Sequence, residues 1–194
     1  GQTYNLVVAA FDNLQSGVQP CGKQSLEESS YACFYTRVTG IWQTVWMEAV
    51  SPYGLKSAIT SPNIDNKQLT ITPQFYQISD GQTLEVTLYD GQRKVAQQIS
   101  QCTNGGDLVI PVKGMKLWSP ENPHLYDITY RVKDAKGQVI DEVKSYVGMR
   151  KVHTANGQFY LNNEPYFQRL IMNQGYYPDG IWTAPTDEAL KNDI

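Results

Sequence analysis

No stretch of this 194-residue chain is apolar over the roughly 20 residues that a membrane-spanning helix requires. The longest apolar runs, such as residues 6–11, stop far short of that, so no membrane span is predicted. Blocks of one charge are equally scarce. The 16 basic and 19 acidic residues sum to −3 and are dispersed, which leaves no electrostatic footprint for nucleic acid or an anionic membrane surface. The two histidines, His124 and His153, have no second ligand at metal spacing, and no CxxC or CxxH is present, so no metal site is predicted. GxSxG, P-loop and dinucleotide fingerprints are missing as well. Cys21, Cys33 and Cys102 cannot all pair within one chain. Buried reduced thiols are the default reading for them, with a Cys21–Cys33 bridge as the alternative. No segment reads as a signal peptide, and the compartment stays open, the periplasm and the cell exterior included.

What is present is a globular composition, 41% hydrophobic and 18% charged, with β-strand rhythm. Seven strands are predicted, over residues 55–60, 68–76, 82–89, 93–100, 107–112, 125–133 and 138–147. Asp90-Gly91 marks a tight hairpin, and Asp134-Ala135-Lys136-Gly137 a longer one with glycine available for positive φ. Leu84, Val86 and Leu88 alternate with Glu85, Thr87 and Tyr89, so one face is expected to pack and the other to stay wetter. Val139, Val143 and Val147 suggest the same for the last strand. The rhythm is that of an antiparallel sandwich.

On either side of this block the character changes. Residues 4–11, 31–38 and 42–50 read as further strands around a polar loop at 15–30, too few to close a jelly roll of about eight strands. Residues 159–161, the turn Asn162-Asn163 and a strand over 166–172 read as a hairpin. A polar aromatic loop follows, and then a helix capped by Thr186 with Asp187 and Glu188 in its first turn. Both ends therefore read as cuts within a longer protein.

The segment Thr39-Gly40-Ile41-Trp42-Gln43-Thr44-Val45-Trp46-Met47-Glu48 is the most informative. On a strand it places Ile41, Val45 and Met47 on one face and Trp42 and Trp46 on the other. Both faces are expected to be buried, with the two indoles in a core or a domain interface. The alternative, a sugar-stacking platform, needs a ring face open to solvent.

That segment resembles a signature of glycoside hydrolase family 2, which includes β-galactosidases, β-glucuronidases and β-mannosidases. Met47 stands where leucine is usual. Three further stretches resemble the family in the expected order: Leu117-Trp118-Ser119-Pro120-Glu121-Asn122-Pro123-His124-Leu125-Tyr126, then Gly148-Met149-Arg150-Lys151-Val152, then the run from Phe167 to Pro185. The resemblance implies a mainly β fold: the end of a jelly-roll (sugar-binding) domain over 1–50, an immunoglobulin-like β-sandwich over 51–152, and the first strand–helix unit of a (β/α)8 TIM barrel over 153–194. It implies a parent that hydrolyses β-glycosides with retention and without an organic cofactor, and for which this chain serves as scaffold. The partners it implies are a carbohydrate substrate and the missing jelly-roll and barrel segments of the same polypeptide.

Both catalytic glutamates would lie downstream of Ile194, so the chain alone is expected to be inactive. Substrate contacts would come from Asn173, Gln174, Tyr176 and Asp179, on the loop after the first barrel strand. Leu170 and Gln174 depart from the glycine and histidine found in many relatives, which puts galactoside specificity in doubt. Arg150 would tie sandwich to barrel.

The residues themselves supply no convincing catalytic pair. A retaining glycosidase needs two carboxyl groups about 5 Å apart, and Glu27-Glu28, Asp141-Glu142 and Asp187-Glu188 read as solvated polar clusters. The two-proline stretch at Trp118–Pro123 reads as a rigid corner, and both histidines as structural or surface groups. The competing class is a non-catalytic two-domain β-sandwich module for carbohydrate binding or adhesion. The tail from Asn156 onward speaks against it, since a finished binding module would not need that segment.

Overall fold

The computed structural model describes residues 3–172 and 176–193. Packing divides them into two units: one holds the residues up to Met47 together with those from Ile171 onward, the other runs Glu48–Leu170. The boundaries read from the sequence were 50/51 and 152/153.

The second unit is built on β1 (Leu55–Asn63), β2 (Gln68–Phe75), β3 (Thr83–Asp90), β4 (Arg93–Gln101), β5 (Leu108–Pro111), β6 (Tyr126–Lys133) and β7 (Val139–Val147). These are the seven strands expected from the alternation. β1 extends to Asn63, and the others keep their ends to within one residue. They form two antiparallel sheets, β1-β2-β5 and β4-β3-β6-β7. The chain changes sheet after β2, β4 and β5, the Greek-key crossing of an immunoglobulin-like sandwich.

Alternation decides the core. Leu69, Ile71 and Phe75 of β2 and Leu108 and Ile110 of β5 face Leu84, Val86 and Leu88 of β3 and Ile128, Tyr130 and Val132 of β6, all buried. Each such side chain contributes about 1.5–3 kcal/mol of burial. Gln82 is buried beside them with its amide satisfied: Oε1 accepts from Ser79 N at 2.9 Å, and Nε2 donates to the Tyr53 carbonyl at 2.9 Å. Both hairpins form where the turn residues place them. Gly91 takes φ 61°, and Asp134 Oδ1 accepts from Lys136 N and Gln138 N, each at 2.9 Å.

Two details of this sheet differ from the expectation. The outer face of β3 is not wet: Glu85 and Thr87 are both buried, Glu85 against Arg131 and Lys133 of the neighbouring strand β6. Val139 does not pack. A bulge between Val132 and Lys133 shifts the β7 register there, so Ile140 turns to the core and Val139 is exposed.

β8 (Val152–Ala155), β9 (Gln158–Leu161) and β10 (Glu164–Pro165) form a small third sheet in the order β10-β9-β8. Asn162 and Asn163 turn the β9–β10 hairpin with φ 55° and 70°, as the dipeptide predicted. The continuation over 166–172 has no ladder and is not a strand.

The first unit has little regular structure. Apart from the 3-10 turn Leu14–Ser16 it holds α1 (Asp187–Asn192), where Thr186 Oγ1 accepts from Ala189 N at 3.1 Å, the N-cap read from the sequence. Residues 4–11 and 42–50, the latter running into the second unit, form no β-ladder among the described residues, and 31–38 takes part in isolated bridges. An alternating segment becomes a strand only within a ladder, and no ladder among the described residues takes in either segment. The expected burial of the two tryptophans is not met: Trp42 is 57% and Trp46 74% exposed.

Candidate functional site

In the first unit the polar loop is organised by three short-range devices. Ser25 is buried, donates through Oγ to the Ser29 carbonyl at 2.7 Å and accepts from Glu27 N at 3.0 Å. Ser25 N donates to the Tyr35 carbonyl and Tyr35 N to the Lys23 carbonyl, both at 2.7 Å. Gln24 Oε1 accepts from Val38 N at 2.9 Å. These bonds bring residues 23–25 beside 35–38.

Of the four substrate-contact residues expected from the sequence, Asn173 and Gln174 lie outside the described residues. Tyr176 stacks on Tyr35, centroids 4.8 Å apart, and its hydroxyl donates to the Thr36 carbonyl at 2.8 Å. Asp179 sits exposed at the tip of a turn closed by reciprocal Tyr177–Ile181 backbone bonds of 2.8 and 2.9 Å. The Tyr177 hydroxyl donates to Asp193 Oδ2 at 2.6 Å, and that bond raises its pKa. Ile181 holds φ 56°, uncommon for a β-branched residue, and a side chain at Gly180 would overlap the Thr183 carbonyl.

The turn delivers Trp182 to Trp42, with ring centroids 6.1 Å apart and planes inclined by 51°. The two rings border a groove of about 490 Å³ that also takes in Phe11, Asp12, Gln24 and Thr183. The sequence reading missed Trp182 and Asp12. A tryptophan two residues after the Pro178-Asp179-Gly180 turn was the available signal.

In the second unit the two-proline stretch forms the expected rigid corner. Ser119 and Asn122 exchange backbone bonds at 3.0 and 3.1 Å, and Trp118 N donates to the Met149 carbonyl at 3.0 Å. Gly148 lies under the Trp118 indole, where an added Cβ would come within 3.2 Å of the ring. The Arg150 guanidinium sits over the same ring, 4.6 Å from its centroid. The Trp-Ser-Pro and Gly-Met-Arg motifs are thus one packed unit. Asn162 Nδ2 donates to the Trp118 carbonyl at 2.9 Å, which ties the β9–β10 turn to this corner, while Asp65, in the β1–β2 turn, takes Lys151 Nζ at 2.6 Å and Asn163 Nδ2 at 2.7 Å.

The acids divide by partner. Asp141, expected to be solvated, is half-buried and accepts from Leu55 N. Glu85 pairs with Lys133 at 2.7 Å and Arg131 at 3.5 Å, and Arg131 also binds Glu142 at 2.7 Å. The Lys133 hydrogen bond chiefly holds the Glu85 carboxyl below its usual range. Asp90 is lowered likewise, first by Lys116 at 2.7 Å, and His124 Nε2 lies 3.4 Å from its other oxygen. His153 stacks on Tyr160 at 4.9 Å. Cys102 is buried, which pushes its thiol pKa up to about 11, whereas Cys33 is exposed and Cys21 half-buried; all three are free. Among the described residues no cluster of three His, Cys, Asp or Glu could hold a metal, and no helix is long and apolar enough to cross a membrane.

A two-sheet Greek-key sandwich with a tryptophan-based corner at its exit defines a β-sandwich domain of immunoglobulin-like kind. Residues 55–150, the span of that sandwich, match the model of glycosyl hydrolases family 2, and the chain belongs to that family. It is 24% identical over 159 residues to a β-galactosidase of Psychromonas ingrahamii, covering 73% of this chain and 15% of that protein. It is 30% identical over 124 residues to a β-galactosidase of Bifidobacterium adolescentis, covering 63% and 11%. The apo structure of a β-glucuronidase from Ruminococcus gnavus aligns with TM-score 0.55 at 19% identity, over 72% of this chain and 23% of that one, a likeness of fold. The chain thus spans under a fifth of the length of these curated relatives.

Proposed function

We propose that this chain is the scaffold portion of a retaining β-glycosidase, and that the polypeptide carrying it hydrolyses O-glycosidic bonds of β-linked sugars. The observation that carries this reading is the coincidence of the family match with the folded sandwich, residues 55–150. The β-galactosidase names of the relatives support a β-glycoside as substrate.

In this reading the apolar segments 4–11 and 42–50, which join no ladder among the described residues, are jelly-roll strands that pair with strands elsewhere in the polypeptide. The Thr186-capped helix belongs to the first strand–helix unit of a (β/α)8 barrel, and Arg150, stacked on Trp118, reaches from sandwich to barrel. Asn173, Gln174, Tyr176 and Asp179 contact sugar at the barrel's catalytic face, where strand C-termini meet their loops. The acid/base and nucleophile glutamates come from later barrel strands beyond Ile194, and no organic cofactor takes part. Among the described acids, Asp65, Glu85, Asp90, Asp141 and Glu142 are tied into structural contacts within the sandwich and its small sheet, in keeping with a scaffold role.

A panel of chromogenic aryl β-glycosides tests it. The 194-residue chain should turn over none, and the longer polypeptide should turn over at least one with β-configured product formed first. Turnover by this chain that is lost on mutating one of its own acids would overturn the reading.

A further inference from the structure

We propose that the groove between Trp42 and Trp182 is a subsite for a neutral sugar ring, additional to the contacts assigned to residues 173–179. It rests on the glycosidase reading for its ligand class and on geometry for its place. Trp42 is 57% and Trp182 44% exposed as residues, which leaves room for the C–H side of a pyranose to pack against their rings. The rings are inclined at 51° and bound a space of about 490 Å³, within the range of small-molecule sites.

Polar groups stand where hydroxyls would point. Gln24 has its carbonyl oxygen committed to Val38 N, which fixes the amide and leaves its NH2 as a donor. Asp12 is held by the Gln19 amide through Oδ1, which orients the carboxylate as an acceptor at the groove wall. A donor and an acceptor beside aromatic faces is the chemistry a sugar requires. A purely apolar strand laid in the groove would offer nothing to the Gln24 NH2 or to the second Asp12 oxygen. The Asp12 carboxylate repels anionic sugars, so a neutral glycoside is preferred over a glucuronide.

The position of Trp182 is enforced. Ile181 at φ 56° is held by two backbone bonds to Tyr177, and Gly180 admits no side chain against Thr183. Backbone strain of this kind is concentrated at ligand-contacting turns.

The chain has four tryptophans, and their indole N–H resonances, assigned by single Trp→Phe variants, report the groove directly. On titrating the whole chain with lactose, the Trp42 and Trp182 signals should shift saturably while those of Trp46 and Trp118 stay. A disaccharide ending in glucuronic acid should bind more weakly, and Asp12→Asn should narrow that difference. Trp182→Ala should weaken lactose binding about five- to tenfold. Four signals moving in parallel, a flat titration, or Trp42 and Trp182 resonances collapsed to unfolded positions would each overturn the subsite. Hydrolysis by the longer polypeptide with a silent groove would leave the glycosidase reading standing and remove only this one; saturable groove binding without hydrolysis would do the reverse.

Discussion

Asp141 Oδ2 accepts the Leu55 backbone N–H at 2.8 Å, joining β7, an edge of one sheet, to β1, an edge of the other. The carboxylate lies so close to Gly54 that a Cβ there would come within 2.6 Å of the same oxygen. One side chain therefore closes the sandwich and also fixes glycine at the start of β1. Asp141→Ala should destabilise the sandwich by about 1–2 kcal/mol, since a half-buried N–H loses its acceptor. Gly54→Ala should cost a similar amount by pushing the carboxylate aside. In urea unfolding the double variant should cost less than the sum of the two, because both act on one contact. Full additivity would mean the two residues are independent.

Glu85 provides a pH signature. The residue is buried, and its carboxyl is held below the usual range, first by the Lys133 hydrogen bond. A carboxylate with a lowered folded-state pKa binds fewer protons than in the unfolded chain. Its stabilisation is thus complete above the unfolded value of about 4.3 and is lost as pH falls toward the folded value. Melting temperature should therefore drop between about pH 5 and 3 more steeply in the parent than in Glu85→Gln. At neutral pH the variant should be less stable by about 1–2 kcal/mol, since two cations lose a charged acceptor while keeping partial access to water. Parallel pH profiles would remove Glu85 from the account.

Thiol reactivity should follow burial. Cys102 is buried with its pKa pushed up to about 11, so at pH 8 it is both shielded and protonated. Iodoacetamide should label exposed Cys33 readily and Cys102 only after denaturant is added, as read by peptide mass spectrometry. Prompt labelling of Cys102 in the native chain would show that the β4–β5 side of the core opens.

How far the sequence could be read depends on where each element finds its partners. β2 and β3 were legible because alternation, turn residues and strand length agree, and because their neighbours β1, β5, β4 and β6 lie in the same stretch of chain. Residues 4–11 and 42–50 carry the same alternation, yet no described strand pairs with them, and period alone cannot say where a partner lies. Val139 was misread because a bulge leaves no mark in hydrophobic spacing. The outer face of β3 was misread because Arg131 and Lys133, polar in a pattern, cover Glu85 with their stems. At the candidate site, Tyr176 was legible as an aromatic on a loop. That its hydroxyl is committed to Thr36, or that Trp182 meets Trp42, depends on contacts more than a hundred residues apart in sequence.

Tyr176 allows packing to be separated from substrate contact. Its ring stacks on Tyr35 at 4.8 Å and its hydroxyl donates to the Thr36 carbonyl at 2.8 Å, both at the exposed surface of the first unit. Tyr176→Phe keeps the stack and frees a carbonyl that water can reach, so the stability loss should be small, about 0.5–1 kcal/mol. If the hydroxyl serves only Thr36, kcat/KM of the longer polypeptide on its preferred aryl glycoside should be unchanged. Gln174→Ala, which removes a group assigned to the sugar, should lower kcat/KM by about 1–3 kcal/mol of transition-state stabilisation and leave the pH profile of kcat in place, since the catalytic carboxylates are untouched. A fall in kcat/KM for Tyr176→Phe without loss of stability would place its hydroxyl on substrate during turnover. Unchanged kcat/KM with lowered stability in Gln174→Ala would make that loop a packing element and withdraw it from the sugar site.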